Sequence, residues 1–242
     1  SSEILTGGNT SSNTVRVEFS GTDSGVGVNH FECSLDNSEF AACTSPLHID
    51  NLTDGIHILE TRAHDNVGNK DVSSASFSWT VDTVPPTTSI VSVSNGNKSA
   101  ISNNGNTSSN SATFLFSATD KGGVENEGVG ISSFDCSIDN SNIITCTSPL
   151  EFNSLREGIH TLKIFSKDNV GKTSSPASFR WAVDTIPPFS TINSAIDGNN
   201  KTLDNNDNSS STSIKLAFSG NDSGGVGVGQ LECSLDGGPF VS

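Results

Sequence analysis

Between residues 87 and 184 the apolar positions come in short runs separated by stretches rich in Asn, Ser and Gly. The runs follow the period of a strand: in ATFLFSATD, Phe114 and Phe116 share one face. Strands are predicted at TTSIVSVS (87–94), ATFLFSATD (112–120), ISSFDCSID (131–139), IITCTSPLEF (143–152), IHTLKIFSKD (159–168) and ASFRWAVD (177–184). A polar loop is expected up to about Asn110, a Gly-rich loop before Ile131, a turn near Ser141 and a second turn at NVGK. Six or seven short strands between turns predict an all-β unit of the β-sandwich type.

The pattern recurs along the chain. Cys33, Cys136 and Cys233 superpose, as do Cys43 and Cys146. SFSWTVDTVPP (76–86) matches SFRWAVDTIPP (178–188), and LTDGIHILETRAHDNVGN (52–69) matches LREGIHTLKIFSKDNVGK (155–172). So long a period predicts small domains in tandem, each with its own core. The divisions fall at 1–84, 85–186 and 187–242, with the pairs Pro85–Pro86 and Pro187–Pro188 as short stiff joints that set the units end to end in a rod. In this phasing the first unit lacks its leading strand and the third stops after its first strands, as expected of a window on a longer repetitive chain. The alternative is that neighbouring copies supply the missing strands by β-augmentation.

The cysteines are expected to be disulfides. A turn centred on Ser38 would set Cys33 directly opposite Cys43, about 4.5 Å apart at Cα in a non-hydrogen-bonded pair, and a turn at Ser141 would do the same for Cys136 and Cys146. Zinc sites and redox pairs use tighter cysteine spacings. Disulfides imply an oxidising, extracytoplasmic compartment, and leave Cys233 to pair outside this sequence or with a neighbouring copy.

The motif F-x-C-S-[LI]-D, then C-T-S-P-L, G-I-H, D-N-V-G and S-F-x-W-x-V-D-T-x-P-P resembles the tandem immunoglobulin-like, fibronectin-type-III-like repeats of secreted and surface proteins of bacteria and archaea. The resemblance spans the whole chain. It implies an extracellular, non-enzymatic role as a stiff repeat rod in a surface filament, surface layer or adhesin stalk. The alternatives it carries are a glycan- or cell-binding adhesin module and spacer domains of a secreted enzyme. Unlike antibody domains, the expected disulfides join neighbouring strands, and Trp79 and Trp181 lie on the last strand of their units. LTDGIH and LREGIH resemble the fibronectin-type corner, with His57 and His160 in place of tyrosine, bonding nearby backbone.

Composition narrows the chemistry. The chain has 242 residues, 32% of them hydrophobic, and a formal net charge of −15. An acidic surface repels nucleic-acid phosphates and anionic lipid heads, and no apolar run is long enough to insert in a membrane. Asp23, Asp120 and Asp222 precede Gly-rich turns, Asp65 and Asp168 open DNVG, and Asp82 and Asp184 stand just before the proline joints. Such loops offer the oxygen ligands calcium needs, and calcium is the one candidate cofactor; turn chemistry is the competing reading. Asn9, Asn51, Asn97, Asn106, Asn200, Asn208 and Asn221 head Asn-X-Ser/Thr triplets where glycans could attach, in a chain whose abundance of Asn, Ser and Thr makes such triplets common. The five histidines do not converge with any nucleophile, and no catalytic constellation is expected. The expected partners are further repeats or copies of the same protein, with glycans or cell-surface molecules as the alternative.

Overall fold

A computed structural model describes residues 3–122 and 128–242, so residues 123–127 of the Gly-rich loop expected before Ile131 lie outside the described residues. The architecture is all β. In the middle of the chain, β8 (Thr87–Asn95), β10 (Ala112–Thr119) and β13 (Leu150–Phe152) form a sheet in the order β13-β10-β8. A second sheet runs β12-β11-β14-β15-β9, with β9 (Gly105–Thr107), β11 (Ile131–Ile138), β12 (Ile144–Cys146), β14 (Gly158–Asp168) and β15 (Ala177–Val183). The two sheets close over Phe114, Phe116, Leu162, Ile164, Phe179, Trp181 and Val183, all buried. Buried Leu162 and Ile164 alternate with the half-buried Thr161, Lys163 and Phe165 of the other face, as a strand with one face on a core requires. This is an immunoglobulin-like sandwich.

Two details depart from the sequence reading. The stretch 95–110 is not wholly loop: β9 forms there and runs parallel to β15, Trp181 facing Gly105 and Val183 facing Thr107. IITCTSPLEF is two strands in opposite sheets, β12 and β13, separated at exposed Ser148–Pro149 where the chain passes from one sheet to the other. Proline cannot donate to a ladder, so the break falls beside it. Among the described residues the unit therefore has eight strands.

The first part of the chain repeats this plan. The sheet β1-β7-β6-β3-β4 comprises β1 (Gly8–Thr10), β3 (Val28–Leu35), β4 (Ala41–Cys43), β6 (Gly55–Asp65) and β7 (Ala75–Val81). It faces the pair β2 (Val15–Val17) and β5 (Leu47–Ile49) across a smaller core of Val15, Leu52, Leu59, Trp79 and Val81. Toward the other end β16 (Phe189–Asp197) and β17 (Ile214–Asn221) pair antiparallel, and Leu216 and Phe218, at the places of Phe114 and Phe116, are exposed.

Both hairpin disulfides are present, but in a different register from the one expected. The turn is built at Asp36 and Asn37, whose φ angles of 52° and 62° are left-handed, and not around Ser38. Asp and Asn tolerate that region because their short side chains bond locally. Cys33 therefore faces Ala41, and Cys43 faces Phe31. The sulfurs bridge diagonally with Cα atoms 5.8 Å apart, and Cys136–Cys146 repeats the arrangement at 5.9 Å. Cys233 is a free, exposed thiol.

Candidate functional site

The recurring polar structure of the chain is concentrated at the unit corners and at the joints. At each corner a buried histidine clasps the hairpin. His160 Nδ1 lies 2.7 Å from Asp139 Oδ2, and its Nε2 lies 2.8 Å from the backbone oxygen of Arg156. His57 makes the same contacts with Asp36 and Thr53, at 2.7 and 2.8 Å. A carboxylate and a carbonyl are both acceptors, so the ring meets both when both nitrogens carry hydrogen. The other Asp139 oxygen accepts from the Thr161 amide, tying the hairpin turn to β14. Replacing His160 with Ala is expected to cost the unit about 1–2 kcal/mol, because Asp139 is half exposed and water can take over part of its bonding. Chemical denaturation of parent and variant checks this.

The joints bring together aspartates from different units. Asp82, the residue that follows β7, is fully buried. Its amide donates to the Thr10 carbonyl, and one carboxylate oxygen accepts from the Val84 amide at 3.1 Å. Its other oxygen reaches across the Pro85–Pro86 joint to accept from the Val129 amide of the second unit at 3.1 Å. Asp184 repeats the arrangement, bonding Ile186 on its own side and the Val226 amide on the far side at 3.0 Å.

Asp82 meets Asp120 and Asp168 there, with one carboxylate oxygen of each within 4.8 Å of the others. Asp120 accepts from the Gly130 amide through Oδ2, while its Oδ1 is buried without a partner. Asp168 is 1% exposed; its Oδ1 accepts from the Val170 and Lys172 amides, and its Oδ2 has no partner. Burial pushes the Asp120 carboxyl above the usual carboxylate range, and the charges of Asp82 and Asp168 push it the same way. Gly122 is backed against Asp82, and a methyl group there would collide with its carboxylate.

The other expected aspartates are arranged differently. In the first unit Asp23 accepts from the Gly25 and Gly27 amides and is exposed. Asp65 caps its own turn, and its Oδ2 is taken by the Asn69 side chain at 2.8 Å. Although burial pushes Asp65 up, that side chain and the amides of Asn69, Val67 and Gly68 hold its carboxyl below the usual range. Lys172 stands where Asn69 does, which leaves Asp168 Oδ2 bare. In the third unit Asp222 accepts from the Gly227 amide and keeps a buried Oδ1 without a partner. All seven sequon asparagines, Asn9 to Asn221, are exposed.

One cluster escaped the sequence reading. The β3–β6 register sets His30 beside His64 and Glu32 beside Arg62. The imidazoles stack at 4.5 Å, and Glu32 Oε2 receives Arg62 Nη2 at 2.7 Å and His64 Nε2 at 2.9 Å. Arg62, and then His64, hold the Glu32 carboxyl below the usual range. The second unit has Ser133, Asp135, Phe165 and Lys167 at the corresponding places, so this ion-paired patch belongs to the first unit alone.

No family profile and no curated protein matches the chain. Among solved structures it is similar to the fibronectin(III)-like modules of Clostridium thermocellum CbhA, at 18% identity, covering 75% of this chain and 91% of that one, with a TM-score of 0.37. A tetra-tandem repeat in the extending region of a large adhesion protein is 14% identical, covering 81% of this chain and 56% of that one, with a TM-score of 0.31. A Bacteroides ovatus mixed-linkage glucan utilization locus protein, SGBP-B, is 14% identical over 93% of this chain and 62% of that one, with a TM-score of 0.26. These likenesses are distant. The immunoglobulin-like assignment rests on this chain's own sheets.

Proposed function

We propose that the chain is a non-catalytic run of immunoglobulin-like units in a stiff extracellular rod, serving a surface filament, surface layer or adhesin stalk. The observation that carries this is the buried Asp82 carboxylate held by the Val129 amide of the following unit. A carboxylate buried at a joint is stable only while its hydrogen-bond partners stay in place, so free swivelling of the two units would leave it poorly satisfied. Asp184 and Val226 repeat the contact at the next joint. The hairpin disulfides support the extracellular placement, since such bonds persist in oxidising compartments. Further repeats or copies of the same protein are the partners this reading requires, and the exposed sequons are where glycans would attach.

Spin labels on an exposed strand of each of the first two units, read by electron–electron distance measurement, test the reading. The expected result is one narrow distance distribution, broadened severalfold by Asp82→Ala. A broad distribution in the parent chain would sink the rod.

A further inference from the structure

We propose that Asp82, Asp120 and Asp168 hold one calcium ion shared between consecutive units, an inference that rests on the joint being a packed contact as read above. Three carboxylates gathered in a buried place repel one another, and each loses hydration that it regains only from a cation or from donors. Amides satisfy some of the oxygens, but Asp120 Oδ1 and Asp168 Oδ2 are buried without a partner. Among the described residues the ion pairs are Arg16–Glu18, His57–Asp36, Arg62 and His64 with Glu32, His160–Asp139 and Lys201–Asp207, and none involves the three aspartates. The charge they would balance is therefore that of a bound ion.

The donor set chooses the ion. All the donors are hard oxygens, which suits calcium or magnesium and not zinc or copper. Calcium accepts six to eight oxygens in irregular geometry at about 2.3–2.6 Å, so oxygens on one ion stand up to about 5 Å apart. The spread of 4.8 Å or less among the three fits that span. Magnesium sheds its water reluctantly and is ill matched to a buried site walled by several carboxylates. Because Asp82 comes from one unit and Asp120 and Asp168 from the next, the ion would be held fully only when the two units are docked.

The same logic predicts how many ions bind. Asp184 and Asp222 supply two of the three positions at the next joint. Asp23 and Asp65 supply two in the first unit, where Asn69 already occupies Asp65 Oδ2. Among the described residues one strong site is expected, where Asp82, Asp120 and Asp168 meet.

Calorimetric titration of the chelator-treated chain with calcium chloride tests this. The expected results are one strong ion per chain, a raised melting temperature, and affinity reduced about 100-fold by Asp168→Asn but not by Asp23→Asn. No heat together with an unshifted melt would overturn the site, as would undiminished binding by Asp168→Asn or equal affinity for magnesium. Repeating the spin-label measurement separates this proposal from the rod. A narrow distribution in chelator with no calcium bound would remove the ion and leave the packed joint. Tight calcium binding with a distribution that stays broad would overturn sharing between units.

Discussion

Phe114→Ala is expected to destabilise the middle unit by about 3–5 kcal/mol, the largest effect of any single substitution considered. Phe114 is fully buried on β10, and its ring packs edge-on to Phe152 and Phe179, at 5.9 and 5.5 Å, and against Trp181 at 5.1 Å. With Phe116, whose ring meets Phe134 of β11 at 5.0 Å, it is where the two sheets touch through aromatic rings. Truncation removes buried area and three favourable ring contacts while opening a void between the two packed sheets. A domain of this size has only about 5–15 kcal/mol in total, so a large share of its stability goes. Hydrogen exchange followed by mass spectrometry reads the effect: amides of β14 lose protection, while those of β6 in the first unit serve as the internal control. Unchanged protection in β14 would mean that Phe114 is not the centre of this core.

Much of this core was legible in the sequence because a strand with one buried face writes its environment into alternate residues. Phe114 and Phe116, Leu162 and Ile164, and the repeated W-x-V ending at Val81 and Val183 all carry that alternation. β9 was not legible, because Gly105–Thr107 has no apolar alternation and pairs through its backbone with β15. The crossing between β12 and β13 was hidden for a related reason: three-residue strands are too short to show a period. The hairpin register was misread because it depends on left-handed Asp36 and Asn37, a backbone choice that counting to the middle of the loop does not detect.

The joint was legible only in part. Repetition picked out Asp82, Asp120 and Asp168 as positions. Their convergence depends on how one unit docks on the next, which no local pattern encodes. The bare oxygen of Asp168 comes down to Lys172 in place of Asn69, a difference that matters only once the turn geometry is known. The Glu32–Arg62–His64 patch is a register effect of the same kind: Glu32 stands 30 positions before Arg62 and 32 before His64, and they meet because β3 and β6 pair as they do.

Replacing Cys136 and Cys146 together with Ala should cost the middle unit about 3 kcal/mol and lower its melting temperature by roughly 10–20 °C. The bond closes a loop between residues ten apart, and freeing so short a loop restores about 2.5–3 kcal/mol of entropy to the unfolded chain on the loop-closure estimate. Both cysteines are also buried in the core cluster, so the sulfurs contribute packing as well as connection. In the first unit Cys33 is only half-buried and packs against a cluster of five buried residues, Val15, Leu52, Leu59, Trp79 and Val81. The packing loss there is smaller, but so is the stability it is taken from. Removing Cys33 and Cys43 should therefore push the first unit closer to unfolding at physiological temperature than the matching change does to the second. Exchange protection in β6 and β14, measured in both double variants, checks the ordering. If β14 proved the more sensitive, the stability of the units would not follow the size of their buried cores.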